Sequence, residues 1–403
     1  MALREISFKA FDDQKPGTAG LRKKVAVFQQ PHYLESFLQS IFDLDPALKG
    51  ASLVIGGDGR YHNRQAIQTA ISMASANGVR KVIVGQAGLL STPAASHLIR
   101  ARGAAGGFVL TASHNPAGPE GDFGIKYNVA GGGQAPEALT DRIFDYSKNL
   151  KRYRLYDHAS VDLDRKGLQS VGDMDVEVVD SVDDYAAHMQ TLFDFDRIRG
   201  WVDAGHRMRF DAMHAVTGPY AQKIFVDMLG APLDAVQNAS PLEDFGGGHP
   251  DPNLIHARHL VDLMNSDQPP DLGAASDGDG DRNMILGPNI FISPGDSLAM
   301  LCEHLDKLPG YRRGLSGVAR SMPTCRAVDH VAKAMCIPCY ETPTGWKFFA
   351  NLLDSDRITL CGEESFGTSS MHVREKDGVW AVLAWLNVLA STGMSVTQIA
   401  QQH

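Results

Sequence analysis

Ser52–Leu110, SLVIGGDGRYHNRQAIQTAISMASANGVRKVIVGQAGLLSTPAASHLIRARGAAGGFVL, decides the fold. Its opening run, Ser52–Gly56, reads as a buried strand. The glycine-rich turn Gly56-Gly57-Asp58-Gly59 follows, then a helix from about Asn63 to Asn77 that Gly78 stops. Lys81–Gly85 is the next strand. Thr92-Pro93 has the pattern of an N-cap followed by proline at the first helical position, so Pro93–Ala101 is predicted helical, and Gly107–Leu110 returns as a strand. Strands and helices alternating at these lengths define βαβ units and a mostly parallel sheet covered on both faces.

The alternation restarts twice. A polar stretch, 157–184, separates the first block from a second. That second block holds a helix near Val182–Phe193, a strand ending near Asp211, a helix after Gly218-Pro219 and a strand running into Asp277. A third block has strands near Leu315–Arg320 and Ile358–Cys361 and a final helix over Asp377–Ala390. The expectation is therefore an α/β protein of serial domains with mixed, mostly parallel sheets, divided at 1–178, 179–305 and 306–392.

With 403 residues the chain is long enough for several cores, and 43% hydrophobic against 21% charged residues excludes global disorder. The longest uncharged apolar run, Val379–Ala390, is too short to cross a bilayer, so no membrane partner is expected. Lys and Arg number 38 against 47 Asp and Glu, a net charge of −9, which argues against nucleic acid as a partner. An anionic ligand then has to be met by a local basic site. Five scattered cysteines fit a reducing compartment, and Met1–Lys15 carries no apolar signal core, so a cytoplasmic location is expected.

Three loops carry chemistry. Thr111-Ala112-Ser113-His114-Asn115-Pro116 follows the strand Gly107–Leu110, beyond whose carboxyl end ligands of open α/β sheets bind. Ser113 beside His114 suits a nucleophile, and a hydroxyl-rich turn closed by Asn-Pro is the alternative. Asp277-Gly278-Asp279-Gly280-Asp281-Arg282 gathers three carboxylates that repel one another unless a cation is present, which suits Mg²⁺. A calcium-binding EF-hand needs Gly at its sixth position and Glu at its twelfth. Here those are Arg282 and Pro288, leaving a solvated acidic turn as the alternative. Gly362-Glu363-Glu364-Ser365-Phe366-Gly367, again after a strand, offers carboxylates and a hydroxyl to sugar hydroxyls, or is a surface turn. Cys336 and Cys339 lack a second pair at zinc-site spacing and read as structural. His256 and His259 read as solvated, and Gly131-Gly132-Gly133 meets neither common nucleotide motif.

In this order, one per block, the serine-histidine, triple-aspartate and carboxylate-serine loops resemble the α-D-phosphohexomutases and, among them, the phosphoglucomutase branch. The resemblance extends to Lys15–Arg22, Gly121–Asn128, Pro241–Gly246 and Glu341–Phe349. It implies a phosphoserine enzyme that interconverts glucose 1-phosphate and glucose 6-phosphate, with glucose 1,6-bisphosphate as intermediate and activator. Ser113 is then the phosphoryl carrier, and Asp277, Asp279 and Asp281 hold one Mg²⁺, with a phosphate oxygen on Ser113 as a further ligand. Arg22 and Arg282 face phosphate. Thr344, Gly345, Glu363, Ser365 and Lys376 contact the sugar or bisphosphate, while His114, Lys126 and Lys376 are the candidates for proton transfer. The resemblance leaves two other readings open: a phosphomannomutase-type enzyme, and a weakly catalytic binding or structural relative. Family members carry a fourth domain with an Arg-Xaa-Ser-Gly-Thr phosphate clamp, a sequence not found here. Three of the usual four domains are therefore expected, with 393–403 as the start of a linker and with reduced turnover. Ser276 and Met371 depart from the family pattern.

Overall fold

The computed structural model describes residues 2–403. The chain forms two compact units: residues up to Ser181 together with Leu242–Gly247, and Val182–Pro241 together with Gly248–His403.

In the first unit, seven strands lie in the order Leu21–Lys24, Asp122–Val129, Gly106–Leu110, Ser52–Gly57, Lys81–Leu89, Met174–Val179, Gly167–Val171. Ser52–Gly57 is central and parallel to both neighbours. Because helices cover both faces of this part of the sheet, Leu53, Val54 and Ile55 are all buried and the strand is apolar without alternation. The helix Asn63–Ala76 turns Ala66, Ile67, Ala70, Ile71 and Ala74 inward at helical spacing, and Gly78 ends it at φ +80°. One cap differs from expectation. Ser91, not Thr92, caps the helix Thr92–Ala101, its hydroxyl accepting from Ala94 N at 3.3 Å. Pro93 therefore stands at the second helical position.

The polar stretch expected to separate the blocks instead contains a hairpin, Gly167–Val171 with Met174–Val179, that extends the first sheet. In Met174–Val179, Met174, Val176 and Val178 are buried while Asp175 is exposed, the period-2 alternation of a half-covered strand. Glu177 on the other face takes Lys81 at 2.6 Å.

The second unit holds two further sheets. One runs Val236–Gln237, Met208–Asp211, Leu272–Ala275, Met284–Gly287, Ile290–Ile292, and the other Cys339–Thr342, Val318–Ser321, Leu360–Gly362, Thr368–Ser370. Each contains the plan already present around Ser52–Gly57. Numbered by appearance within each set of four, the strands lie in the order 2-1-3-4, with 1 parallel to 2 and 3 and with 4 antiparallel to 3. The blocks thus share a topology that their residues do not reveal as a repeat.

The helix Gly378–Thr392 is buried from Gly378 through Leu389 and packs against both sheets of its unit. Its all-round apolar character is that of a core helix. Trp380 and Trp385 spend their ring N–H groups on Tyr311 Oη at 2.8 Å and Ser297 Oγ at 2.9 Å. No single helix among the described residues is long and apolar enough to cross a membrane. Where a linker was expected to begin, Val396–Gln402 is a helix with a Ser395/Gln398 capping box. Its Val396 packs so closely on Gly287 that a Cβ there would sit 2.7 Å away.

Ile55 is fully buried in the central strand. Replacing it by alanine is expected to lower stability by about 2–5 kcal/mol in urea unfolding. A loss under about 1 kcal/mol would mean that this face is not the core of the unit.

Candidate active site

The serine loop joins Gly106–Leu110 to its antiparallel neighbour Asp122–Val129, which pins it at both ends by ladder hydrogen bonds. Ser113 is 1% exposed and has φ +53°, a conformation that costs energy for any residue with a Cβ. A buried polar assembly holds it there. Thr111 Oγ1 accepts the Ser113 N–H at 2.7 Å and donates to Asp58 Oδ2 at 2.5 Å. Arg60, 0% exposed, donates from Nε to both Asp58 oxygens at 2.8 and 3.1 Å. Its Nη2 reaches the Ser113 carbonyl at 2.6 Å and its Nη1 the Asp122 carbonyl at 2.9 Å. The guanidinium lies 5.3 Å from the centre of the Phe245 ring, which belongs to the short segment Leu242–Gly247.

Ser113 Oγ lies 3.4 Å from His114 Nδ1. Lys126, on the strand Asp122–Val129, is buried, with Nζ 3.3 Å from Thr92 Oγ1. Arg22 is half-buried on the neighbouring strand, opposite Gly124. A Cβ at Gly124 would stand 2.4 Å from the Thr111 carbonyl, so only glycine permits this approach. The sequence reading missed Asp58, Arg60 and Phe245 as site residues and gave Thr111 no role within its loop. Its available signal was a carboxylate and a guanidinium two apart in the glycine-rich turn at the end of the central strand.

In the second unit, Asp277, Asp279 and Asp281 are all at most 1% exposed, and each offers an oxygen within 4.8 Å of the others. The solvated-turn alternative is thereby excluded. Asp277 Oδ1 accepts from Asp281 N at 2.9 Å and Arg282 N at 3.0 Å. Burial, reinforced by the charges of Asp281 and Asp279, pushes the Asp277 carboxyl well above the usual carboxylate range. Oxygen donors crowded and dehydrated in this way fit a hard divalent cation, whose charge offsets their repulsion. Arg282 is half-buried. Burial opposes its charge, but Asp277, Asp281 and Asp251 outweigh burial and raise its pKa.

The carboxylate-serine loop meets this turn through Lys376, whose Nζ is 3.5 Å from Asp281 Oδ2 and 3.7 Å from Glu363 Oε2. Ser365 Oγ donates to Glu363 Oε2 at 3.3 Å. Glu364 faces elsewhere: its Oε2 accepts from Ser321 at 2.7 Å and Thr324 at 3.2 Å, a structural tie inside the third block. Thr344 and Gly345 follow the strand Cys339–Thr342, which is parallel to Val318–Ser321 and so ends at the same sheet edge as Leu360–Gly362. Thr344 is exposed and Gly345, at φ +132°, opens the helix Trp346–Asp354.

The two departures from the family pattern differ in setting. Ser276 is fully buried at the aspartate turn and Met371 is 52% exposed. His256 is exposed as expected, but its ring stacks on His249 at 4.2 Å, and nearby Asp251 accepts from Arg282 Nη1 at 3.3 Å. Cys339 is exposed and donates its thiol to Asp329 Oδ1 at 3.4 Å.

The fold and these loops define an α/β phosphosugar-mutase type of protein. Models of the phosphoglucomutase/phosphomannomutase alpha/beta/alpha domains I, II and III match residues 13–154, 183–289 and 294–403 respectively. The phosphoglucomutase of Rhizobium radiobacter is 56% identical over 401 residues, covering 100% of this chain and 74% of that protein. That of Emericella nidulans is 55% identical over 394 residues, 97% of this chain and 71% of the relative. The chain spans 62% of the chloroplastic phosphoglucomutase 1 of Marchantia polymorpha, at 53% identity. Among solved structures, the Paramecium pp63/parafusin phosphoglucomutase superposes with a TM-score of 0.95 at 48% identity, covering 100% of this chain and 76% of that one. The chain belongs to the phosphoglucomutase/phosphomannomutase family.

Arg60→Met removes the cation from a buried ion pair and is expected to cost about 3–5 kcal/mol in urea unfolding. A variant as stable as the parent would show that Asp58 is held without the guanidinium and that the serine loop does not depend on it.

Proposed function

We propose that the chain interconverts α-D-glucose 1-phosphate and glucose 6-phosphate, by way of a phosphoserine at Ser113 and glucose 1,6-bisphosphate as intermediate and activator. The observation that carries this reading is the buried carboxylate cluster of Asp277, Asp279 and Asp281, joined through Lys376 to Glu363 of the carboxylate-serine loop. A binding or structural role gives no reason to bury three like charges. Their donor set fits one Mg²⁺, which when bound neutralises phosphoryl oxygens.

The chain's own residues do the rest. A sugar hydroxyl oxygen forms a bond to phosphorus while the bond from phosphorus to Ser113 Oγ breaks. The hydroxyl proton passes to a base and Ser113 Oγ is left as alkoxide until protonated. His114, 3.4 Å from that oxygen, is placed to return the proton, and Lys126 and Lys376 are the other proton carriers. Arg22 and Arg282 bring fixed positive charge to phosphate, as phosphoryl transfer requires. Thr344, Gly345, Glu363 and Ser365 meet the sugar. Glu363, held between Lys376 and Ser365, presents a fixed carboxylate to hydroxyls.

Intact mass after incubation with glucose 1,6-bisphosphate should show one added phosphoryl group, absent in Ser113→Ala. Gain of the group by that variant would place the carrier elsewhere. Calorimetry should show Mg²⁺ binding that Asp279→Ala abolishes, and equal binding by the variant would remove the aspartate turn from the metal site.

Sugar choice is expected to favour gluco over manno phosphates, because buried groups matched to one hydroxyl pattern are left unpaired by another. Phospho-enzyme offered both sugar 1-phosphates should transfer faster to the gluco form. Equal rates would support the phosphomannomutase-type alternative.

A further inference from the structure

Lys376 is the residue that joins the metal turn to the carboxylate-serine loop, and its flexible four-carbon stem has to be held for that purpose. The next residue, Asp377, is 0% exposed and carries its carboxylate into the core of the second unit. Three donors converge on that carboxylate. Tyr185 Oη donates to Oδ1 at 2.6 Å, Trp380 N donates to Oδ1 at 3.0 Å as the N-terminal cap of the helix Gly378–Thr392, and His372 Nε2 lies 2.9 Å from Oδ2. The assembly continues through His372 Nδ1 to Ser370 Oγ at 2.8 Å, Ser370 Oγ to Tyr311 Oη at 2.6 Å, and Trp380 Nε1 to Tyr311 Oη at 2.8 Å.

One assignment of protons satisfies every member. Trp380 N–H donates to Tyr311, Tyr311 O–H to Ser370, Ser370 O–H to His372 Nδ1, and His372 Nε2–H to Asp377. Burial, with the Asp377 charge beside it, pushes the Tyr185 hydroxyl well above the usual phenol range, so it remains a donor. Tyr311 is raised for the same first reason. A buried network with all of its groups paired rigidifies what it holds.

What it holds is the backbone that follows Lys376. Asp377 N donates to the Thr368 carbonyl at 3.0 Å, and Gly378 N donates to the Gly280 carbonyl of the metal turn at 3.0 Å. A Cβ on Gly378 would sit 2.2 Å from the Arg282 carbonyl, and one on Gly367 would sit 2.3 Å from Lys376 Cδ. The turn, the helix start and the lysine stem are therefore packed at the closest approach that glycine allows.

We propose that Asp377 is a positioning residue: its carboxylate, fixed by Tyr185, His372 and the amide of Trp380, sets where Lys376 Nζ stands between Asp281 and Glu363. This inference rests on the proposed role of Lys376 in phosphoryl transfer for its consequence, but not for the positioning itself.

The test uses the full chain and two readouts. In the first, an amine-modifying reagent is applied and Lys376 labelling is read by peptide mass. Labelling should rise by on the order of tenfold in Asp377→Asn, and also in the milder Tyr185→Phe, at temperatures where both remain folded. In the second, phospho-enzyme passes its group to glucose 1-phosphate in a single turnover. The maximal rate should fall by on the order of tenfold, while half-saturation moves by less than about twofold. In a Lys376→Met background, Asp377→Asn should then slow transfer by less than about twofold further, because the two changes remove the same thing.

Unchanged labelling in both variants overturns the proposal. So does an equal slowing of transfer with and without Lys376, since Asp377 then acts through the fold at large. Should Asp377→Asn fail to fold, Tyr185→Phe decides by the same criteria. A parent chain that transfers nothing to glucose 1-phosphate refutes the proposed function, and labelling still decides the positioning.

Discussion

Three carboxylates withdrawn from water in one turn set the conditions for the rest of the second unit. Left alone, Asp277, Asp279 and Asp281 repel one another in a region where little solvent screens them. The surrounding chain answers with positive charge at each side: Arg282 next in sequence and Lys376, just before the helix Gly378–Thr392, 3.5 Å from Asp281. The amino terminus of a fifteen-residue helix also abuts the turn, with Gly378 N bonded to the Gly280 carbonyl. A helix amino terminus carries partial positive charge, so it adds in the same direction. Gly278 and Gly280 allow three acids to face one space, and Gly378 allows the helix to approach. The aspartate turn and the final helix consequently depend on each other.

The first unit solves a different problem. Its serine sits in a backbone conformation that a side-chain-bearing residue rarely adopts, and the strain has to be opposed continuously. The opposition comes from a buried guanidinium that spends its donors on the Asp58 carboxylate and on loop carbonyls at Ser113, Asn115 and Asp122. A lysine offers a point charge and no such fork, so Arg60 is not exchangeable for it. Phe245 lies against the guanidinium, which explains why Leu242–Gly247 packs with this unit although its sequence neighbours belong to the other.

The parallel strands were legible because burial on both faces makes them apolar throughout, as at Leu53–Ile55, and the helices because glycines and caps mark their ends. The hairpin Gly167–Val179 was obscured by its charges. Asp175 and Glu177 raise the polarity of the stretch, while the alternation of Met174, Val176 and Val178 between them is the strand signal. Among site residues, the aspartate turn was legible because like charges so close in sequence require a partner. Arg60 and Asp377 were not, since the Asp58–Arg60 spacing suggests a pair without marking it as buried, and Asp377 stands in a charged run that reads as solvated. Their roles follow from what the fold places around them: the Ser113 and Asp122 carbonyls for the first, Tyr185 and His372 for the second.

The recurrence of one strand plan explains where the three loops are. In each set of four strands the third runs parallel to the first and the fourth returns antiparallel beside it, and the candidate loop is the connection between them. A parallel strand ordinarily leads into a crossover helix, which leaves its loop anchored at one sheet strand only. Here both ends of each loop are fixed by the ladder, so side chains at its tip are held by two strands. Ser113, the three aspartates and Glu363 all occupy that position. Only the topology is repeated. The tips differ freely in chemistry because the ladder constrains the strands and not the turn, and this is why the repeat is plain in the hydrogen bonds and hidden in the residues.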